Sequence, residues 1–411
     1  MGKPQLLFLA HRIPYPPNKG DKIRSWNVLR HLAKSYDIHL GAFIDDDADW
    51  RYVPVLEELC ASTCFLKVGS RRNPARLARA WLGSLPLSVA LWGSAEMKSY
   101  VDDCLSDRSI QNAYVFSGQM APYVHRHVTS GRTIIMDFVD VDSDKFRQYA
   151  ATASWPFSGL YSQEAAQLKQ FEKQTARVVD ASLFVSEAEA KLFRGIAGSY
   201  GHTVYALENG VDLDFFSPAG GTPSADAKTT AEAGRGLVFA GAMDYPPNIE
   251  AVEWLVGDIL PRVRRRVPGT DLTIVGSNPV PAVRRLARKK GVEVTGFVED
   301  IRPYVRRAAI SVAPIRTARG VQNKVLEAMA MGKPVVASSQ AYSGINAEPG
   351  HDLLVADTAD AFAGAVADLL EDGKRRARMG RAARAKMRSY YSWDARLAHL
   401  DEIMARHAKA G

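Results

Sequence analysis

Apolar and polar positions follow one repeating order along most of the chain: a short apolar run, a polar loop marked by Gly or Pro, then apolar residues recurring every three or four positions. The order is clearest from Ile310 to Ser338, ISVAPIRTARGVQNKVLEAMAMGKPVVAS. Ile310 to Pro314 reads as a buried parallel strand, a loop with Gly320 follows, and a helix is expected from about Gln322 to Met331. Gly332 and Pro334 stop that helix, and Val335 to Ala337 is the next strand. The same unit opens the chain, with a strand at Leu6 to Ala10, a helix from about Lys22 striped by Trp26, Leu29 and Leu32 or Ala33, and a strand at Ile38 to Phe43. Further strands are expected at Ala113 to Phe116, Thr133 to Met136, Ala181 to Val185, Thr203 to Leu207, Leu237 to Ala240, Asp271 to Gly276 and Val292 to Thr295. A polar helix is expected from Gln163 to Val179, and Ser186 with Glu189 forms a capping box. Strands alternating with helices predict the α/β class with doubly wound parallel sheets.

Length turns this pattern into two domains, because 411 residues exceed what one core usually supports. An apolar content of 46% and a charged content of 24% are those of a globular enzyme. No run of eighteen apolar residues occurs and the first ten residues lack the features of a signal peptide, so a cytoplasmic location is expected. Cys60, Cys64 and Cys104 are an odd number without matching metal-ligand pairs, which fits buried thiols in a reducing compartment. The net charge of +8 is uneven: residues 1–215 hold 24 basic and 24 acidic residues, leaving 29 against 21 for the remainder. Basic clusters such as Arg262 to Arg266 and Arg284 to Lys290 lack aromatic interleaving, so they read as solvated helix faces and no nucleic-acid partner is expected.

Candidate chemistry gathers where strands pass into helices. In the helix expected from Gln322, Val325, Leu326, Met329 and Ala330 face the core, which leaves Lys324 and Glu327, three apart, on one flank near the start. A helix N-terminus favours a phosphate, and Arg316, Arg319 and Lys324 would add cationic donors there. Glu327 is badly placed for phosphate and well placed to accept hydrogen bonds from ribose hydroxyls; an ordinary solvated helix pair is the alternative. Near the start, Gly20 stands at a loop-to-helix junction with Asp21, Lys22 and Arg24, the last two as anion contacts. Asp137, Asp140, Asp142 and Asp144 crowd the end of another strand and its loop, as metal-ligating carboxylates or, in preference, as turn and capping residues. From Lys67 to Lys98 the only acidic residue is Glu96, and Arg71, Arg72, Arg76 and Arg79 alternate with Leu77, Trp81, Leu82 and Trp92. Such a stretch fits an anionic membrane surface or a helix packed on its own domain. No G-x-G-x-x-G follows a strand, which argues against a nicotinamide dehydrogenase.

Lys324, Leu326 to Ala330 and Gly332 to Val336, as K-x-LEAMA-x-GKPVV, resemble the donor-site motif of the large retaining glycosyltransferase family with the GT-B fold, called family four. More narrowly, the chain resembles the sugar transferases found with exosortase-type exopolysaccharide clusters. The resemblance implies two Rossmann-like domains facing a cleft, with NGVD at Asn209 to Asp212 marking the passage between them in a positive-φ turn. On that basis residues 1–215 are an acceptor-binding domain, 216–236 a linker, 237–390 a nucleotide-sugar-binding domain and 391–411 a helix returning to the first domain. It implies transfer of a sugar from a nucleoside-diphosphate donor to a hydroxyl, in a lipid-linked or glycan acceptor of exopolysaccharide assembly, without a metal or other cofactor. Contact with the inner face of the membrane would run through Arg71 to Arg79. Carried over residue by residue, it places Glu327 on the donor ribose, the backbone at Phe297 and Val298 on the base, and Gly241, Arg319, Gly320 and Val321 around the diphosphate; Asp244, Tyr245 and Asn248 stand where many relatives have the cations that grip the diphosphate, which is a departure from the pattern. Arg316 and Lys324 neutralise the leaving group, Gly20, Asp21 and Lys22 form the glycine loop, and Asp140 stands in for the family's acceptor-side histidine. The family's first glutamate corresponds to Arg319, so the chain departs from the pattern there. A GT-B nucleotide-sugar epimerase and a non-catalytic nucleotide-sugar or glycan-binding subunit are the other functions compatible with the motif.

Overall fold

The structure, a computed structural model, describes residues 2–17, 19–68, 85–107, 109–128, 131–218, 235–317 and 321–408. The chain forms two compact units, one of Met1–Asn209 with Arg396–Gly411 and one of Gly210–Ala395. In the first, strands β1 (Gln5–Ala10), β2 (Asp37–Ile44), β3 (Ser62–Lys67), β4 (Ile110–Phe116), β5 (Thr133–Val139), β6 (Ala181–Phe184) and β7 (Val204–Ala206) form a sheet ordered β3-β2-β1-β4-β5-β6-β7. In the second, β8 (Gly236–Ala240), β9 (Asp271–Val275), β10 (Val292–Val294), β11 (Ile310–Ala313), β12 (Val335–Ala337) and β13 (Leu354–Val355) are ordered β10-β9-β8-β11-β12-β13. The paired strands are parallel, in registers such as Leu6↔Ile38, Leu9↔Val115 and Val312↔Val336. Parallel strands need crossovers that cover both faces, which is why Leu6 to Ala10 are apolar without alternation and wholly buried. The strands expected from the sequence appear in their expected order, and the sheets add β3 and β13, which were not expected.

The first helix, Gly20–Leu32, departs from its expected stripe. Its buried residues are Lys22, Arg24, Ser25, Val28, Leu29 and Leu32, while Trp26 is half-buried and Ile23 faces out. Lys22 and Arg24, expected as anion contacts, are only 1% exposed and bind carboxylates inside the unit. Lys22 Nζ lies 2.5 Å from Asp49. Arg24 donates through Nε and Nη2 to Asp137, at 2.8 and 3.1 Å, and through Nη1 to the Leu207 carbonyl at 2.6 Å and Asn209 Oδ1 at 2.8 Å. The Tyr114 hydroxyl donates to the same Asp137 at 2.6 Å, and burial against that carboxylate raises the phenol well above its ordinary pKa. Asp137 lies inside β5 and is wholly buried, so it is a structural counter-ion and not a carboxylate at a strand end.

Three smaller expectations are corrected. Neither Asn209 nor Gly210 takes a positive φ; Gly210 is needed because a Cβ there would stand 2.6 Å from Trp393 Cα. Ser186 accepts from the Glu189 N–H at 3.2 Å, but the Glu189 carboxylate accepts from the Val141 N–H at 2.8 Å, so the box is half formed. Most of the expected linker 216–236, at 219–234, and the basic stretch Arg71 to Arg79 lie outside the described residues, and Gly236 already belongs to β8. The terminal helix Trp393–His407 packs within the first unit from Arg396 onward: His31 meets Asp401 at 2.9 Å, Thr133 donates to the His407 carbonyl at 2.9 Å, and Leu397, Leu400 and Ile403 are buried. No helix among the described residues is long and apolar enough to cross a membrane.

Removing Arg24 would strand Asp137 without its cation in a dry interior. Arg24→Met is expected to lower stability by about 3–5 kcal/mol, read from urea unfolding, because a buried carboxylate loses its partner. A loss of under about 1 kcal/mol would show that the network carries little of the fold.

Candidate functional site

The carboxyl ends of β8, β9 and β11 meet the start of helix Asn323–Ala330, and the local sequence explains how closely they approach. Gly241 ends β8 and Gly276 ends β9; a Cβ on Gly276 would fall 1.6 Å from the Gly241 carbonyl oxygen, so only glycine fits that contact. A Cβ on Gly241 would likewise stand 2.7 Å from Asn248 Nδ2 and 3.0 Å from Lys324 Nζ. Asn248, 4% exposed, donates through Nδ2 to the Ala242 carbonyl at 2.8 Å and accepts from Lys324 Nζ at 2.5 Å. Lys324 also lies 4.7 Å from the centroid of the Phe239 ring. The lysine is thereby fixed before any ligand arrives.

Around it lies a cavity of about 450 Å³ lined by Gly241, Tyr245, Asn248, Gly276, Phe297, Val298, Gln322, Lys324 and Glu327, among others. Burial disfavours the ammonium and brings Lys324 down to about 8, with Glu327 opposing the shift. Burial also brings the Glu327 carboxyl up to about 7, with Lys324 opposing. Glu327 accepts no hydrogen bond among the described residues, and no side chain caps the first turn of its helix. A cation, a carboxylate with free acceptor sites and a helix front end therefore converge on one cavity, as a phosphorylated ligand with hydroxyls requires. A hollow of about 550 Å³ with Arg288, Lys289 and Lys290 lies instead at the amino ends of β8 to β10, the end of such a sheet that does not ordinarily bind ligand.

Of the expected residues, Gly241, Asn248, Phe297, Val298, Lys324 and Glu327 share this cavity. Phe297 is 75% exposed at its edge. Arg316 does not line it; its guanidinium stands 3.6 Å from Glu250 and 5.5 Å from the Trp254 ring centroid, drawn there by charge and by the ring face. Val321 is half-buried and is not among the lining residues, and Arg319 and Gly320 lie outside the described residues. Lys333 of the motif is structural, since Nζ donates to the carbonyls of Arg306 at 2.5 Å and Ala308 at 2.7 Å and so holds the end of helix Arg302–Arg307. Gly276 and Tyr245 also line it; Gly276 was visible only as a glycine after a strand.

In the first unit Gly20 is exposed, with open space where a Cβ would stand. Asp21 is held well below the usual carboxylate range by His11 and by Arg12, at 2.7 Å, so it is an ion-paired anion unsuited to a phosphate. His11 directly follows β1, between Trp92 and Phe116, with Nε2 3.5 Å from Asp21; no spacing in the sequence singled it out. Asp140 is exposed beyond β5, where Val139 takes a φ of +72°, unusual for a β-branched residue, and desolvation by its surroundings raises the carboxyl's pKa. Among the described residues no three His, Cys, Asp or Glu side chains converge as metal ligands would.

Residues 234–372 match the family described as glycosyl transferases group 1. The match lies within the second unit and takes in the cavity of Lys324 and Glu327. It is similar to a GDP-mannose-dependent alpha-(1-6)-phosphatidylinositol monomannoside mannosyltransferase of Mycolicibacterium smegmatis, 32% identical over 56% of this chain and 63% of that protein. It is also similar to a phosphatidyl-myo-inositol mannosyltransferase of Mycobacterium tuberculosis, 31% identical over 46% of this chain and 51% of that protein. The matches thus span less than two thirds of the length of these curated relatives. Among solved structures, HepE of Anabaena in complex with UDP matches with a TM-score of 0.62 at 13% identity, covering 98% of this chain and 100% of that one. A glycosyltransferase from Rickettsia africae matches with a TM-score of 0.64 at 14% identity, over 100% of both. The fold is GT-B, with two Rossmann-like parallel-sheet domains.

The raised Glu327 carboxyl has a consequence for stability. A carboxyl whose pKa rises on folding contributes stability below its unfolded value, and that contribution is lost as pH climbs through about 7. Glu327→Gln is therefore expected to raise the unfolding free energy at pH 8 relative to the unsubstituted protein, on the order of 1–3 kcal/mol, and to change it little at pH 4. Urea melts at the two pH values check it, and equal effects at both would contradict the assigned burial.

Proposed function

We propose that this chain is a retaining glycosyltransferase that moves a sugar from a nucleoside-diphosphate donor to a hydroxyl of a lipid-linked glycan, with GDP-mannose as the leading donor. The observation that carries the reading is the shared cavity of Lys324, Asn248, Glu327 and the uncapped front of helix Asn323–Ala330. The mannosyltransferase names of the curated relatives supply the donor and the lipid character of the acceptor, and the motif resemblance supplies retention, exopolysaccharide assembly and independence of metal.

In this reading the diphosphate lies against the first-turn amides and the Lys324 ammonium. Substitution at the anomeric carbon breaks the bond to the departing phosphate oxygen, and the charge gained there is met by groups already oriented, so little reorganisation is needed. Glu327, ionised, accepts from the ribose hydroxyls and holds the nucleoside in register with the phosphates. Phe297 and Val298 lie at the base, Gly241 and Gly276 form the floor, and Asn248 holds the lysine. Arg316, engaged by Glu250 and Trp254, is given no part in leaving-group departure. In the first unit Asp140, exposed and with a raised pKa, is assigned to the acceptor hydroxyl as its orienting carboxylate or base.

A thermal-shift screen of nucleotide sugars is expected to single out GDP-mannose, with about 2.7 kcal/mol of stabilisation at a hundredfold excess over Kd. Glu327→Ala should raise the donor KM by at least about 100-fold, the value of two hydrogen bonds to a charged group at about 1.5–3 kcal/mol each, without unfolding the protein. Donor affinity should rise as pH passes about 7 and fall above about 8, as Glu327 gains and Lys324 loses its charge. Donor turnover without acceptor would point to an epimerase, and donor binding without transfer to any lipid-linked extract to a binding subunit. Unchanged kinetics in Glu327→Ala would remove the reading's basis.

A further inference from the structure

Helices Asp142–Thr152 and Phe157–Val178 pack on each other as a hairpin joined by residues 153–156. The rings of Phe146, Tyr149 and Tyr161 brace it just below the turn, with centroids 5.8, 6.0 and 5.9 Å apart. Beyond that brace the aromatic residues face water: Trp155 is 86% exposed, Phe157 57% and Tyr149 45%. The sequence around them, QYAATASWPFSGLYSQ at 148–163, holds no Lys, Arg, Asp or Glu, although 24% of the whole chain is charged. Exposed Lys145, Arg147, Lys169 and Lys173 follow on the two helices, the first two beside Asp142 and Asp144.

We propose that this hairpin apex enters the interfacial layer of a lipid bilayer. A Trp at the tip of a turn offers no groove to a folded partner, whereas a fluid phase closes around a convex apex. The uncharged stretch runs about five residues along the first helix and seven along the second, roughly 7–10 Å at 1.5 Å per residue, which matches the depth at which apolar faces lie in the headgroup boundary. Trp and Tyr, with apolar rings and a polar edge, partition to that layer. Lysines one to two turns beyond would reach the phosphate level and favour anionic lipid modestly. Glu164, on the same helix, accepts from the N–H groups of Leu87 and Ser88, the residues that follow the basic stretch Arg71 to Arg79 in sequence, so the chain emerging from that stretch is tied to the hairpin. The inference rests on the lipid-linked acceptor only for its use by the enzyme; the apex itself is independent of the donor cavity.

The test is co-sedimentation of the full chain with vesicles of phosphatidylcholine alone and with about one third phosphatidylglycerol, without donor or acceptor. The unsubstituted protein should partition to both, more to the anionic vesicles. Trp155→Ser with Phe157→Ser should lower partition at least about tenfold, while Trp155→Phe retains most of it. Brominated lipid should quench the fluorescence of the unsubstituted protein more than that of Trp155→Phe. Each variant should keep its circular dichroism and its donor-induced thermal shift, which separates failure of this inference from failure of the transferase reading. Equal partition of the double variant, or no partition of the unsubstituted protein, would overturn the proposal. So would self-association abolished by Trp155→Ser in the absence of vesicle binding, since the apex would then be a contact between copies.

Discussion

The contact between Gly241 and Gly276 constrains the second unit more than any other. Two adjacent parallel strands end with their backbones touching, and no side chain fits between them. The closeness brings Asn248 under Lys324 and leaves the ammonium and the Glu327 carboxylate short of water, which drives their pKa values toward each other. A phosphorylated ligand would relieve that deficit at the lysine, and a pair of hydroxyls would relieve it at the glutamate. The cavity is thus preorganised by backbone packing, and binding energy need not be spent on ordering its side chains.

The first unit uses similar residue types to the opposite end. Lys22 and Arg24, at the start of a helix where an anion site is expected, turn inward and satisfy Asp49 and Asp137. Arg24 further binds the Leu207 carbonyl and Asn209, so one guanidinium joins the first helix, β5 and the last residue of the unit. A helix with cations on its buried face and Ile23 on its exposed one is stable only because those charges are paired with good geometry. What remains at the carboxyl ends of these strands is the ion-paired Asp21 and His11, and Asp140 on its strained turn.

The two units therefore divide their charges. The second holds Lys324 and Glu327, both short of water, around one cavity, whereas in the first Lys22 and Arg24 are taken up by internal pairs and aromatic residues stand exposed at the hairpin apex.

The alternation of apolar runs and helical periodicity determined the central strands of both sheets, because a parallel strand buried on two faces needs a continuous apolar run, whereas the half-buried edge strands β3 and β13 carry no such run and were not legible. It also determined helix Asn323–Ala330 and the shared flank of Lys324 and Glu327, a matter of local geometry within one helix. Sequence could not decide where Arg316 points, that Lys22, Arg24 and Asp137 are interior, or that Lys333 closes another helix. Each of those long side chains has several partners within reach, and only the tertiary arrangement selects one. Gly210 and Gly276 looked like turn glycines, yet both are demanded by atoms remote in sequence, at Trp393 and Gly241. Local periodicity fixes an element because its causes lie within a few residues; pairing, desolvation and close approach are set by residues that meet only when the chain has folded.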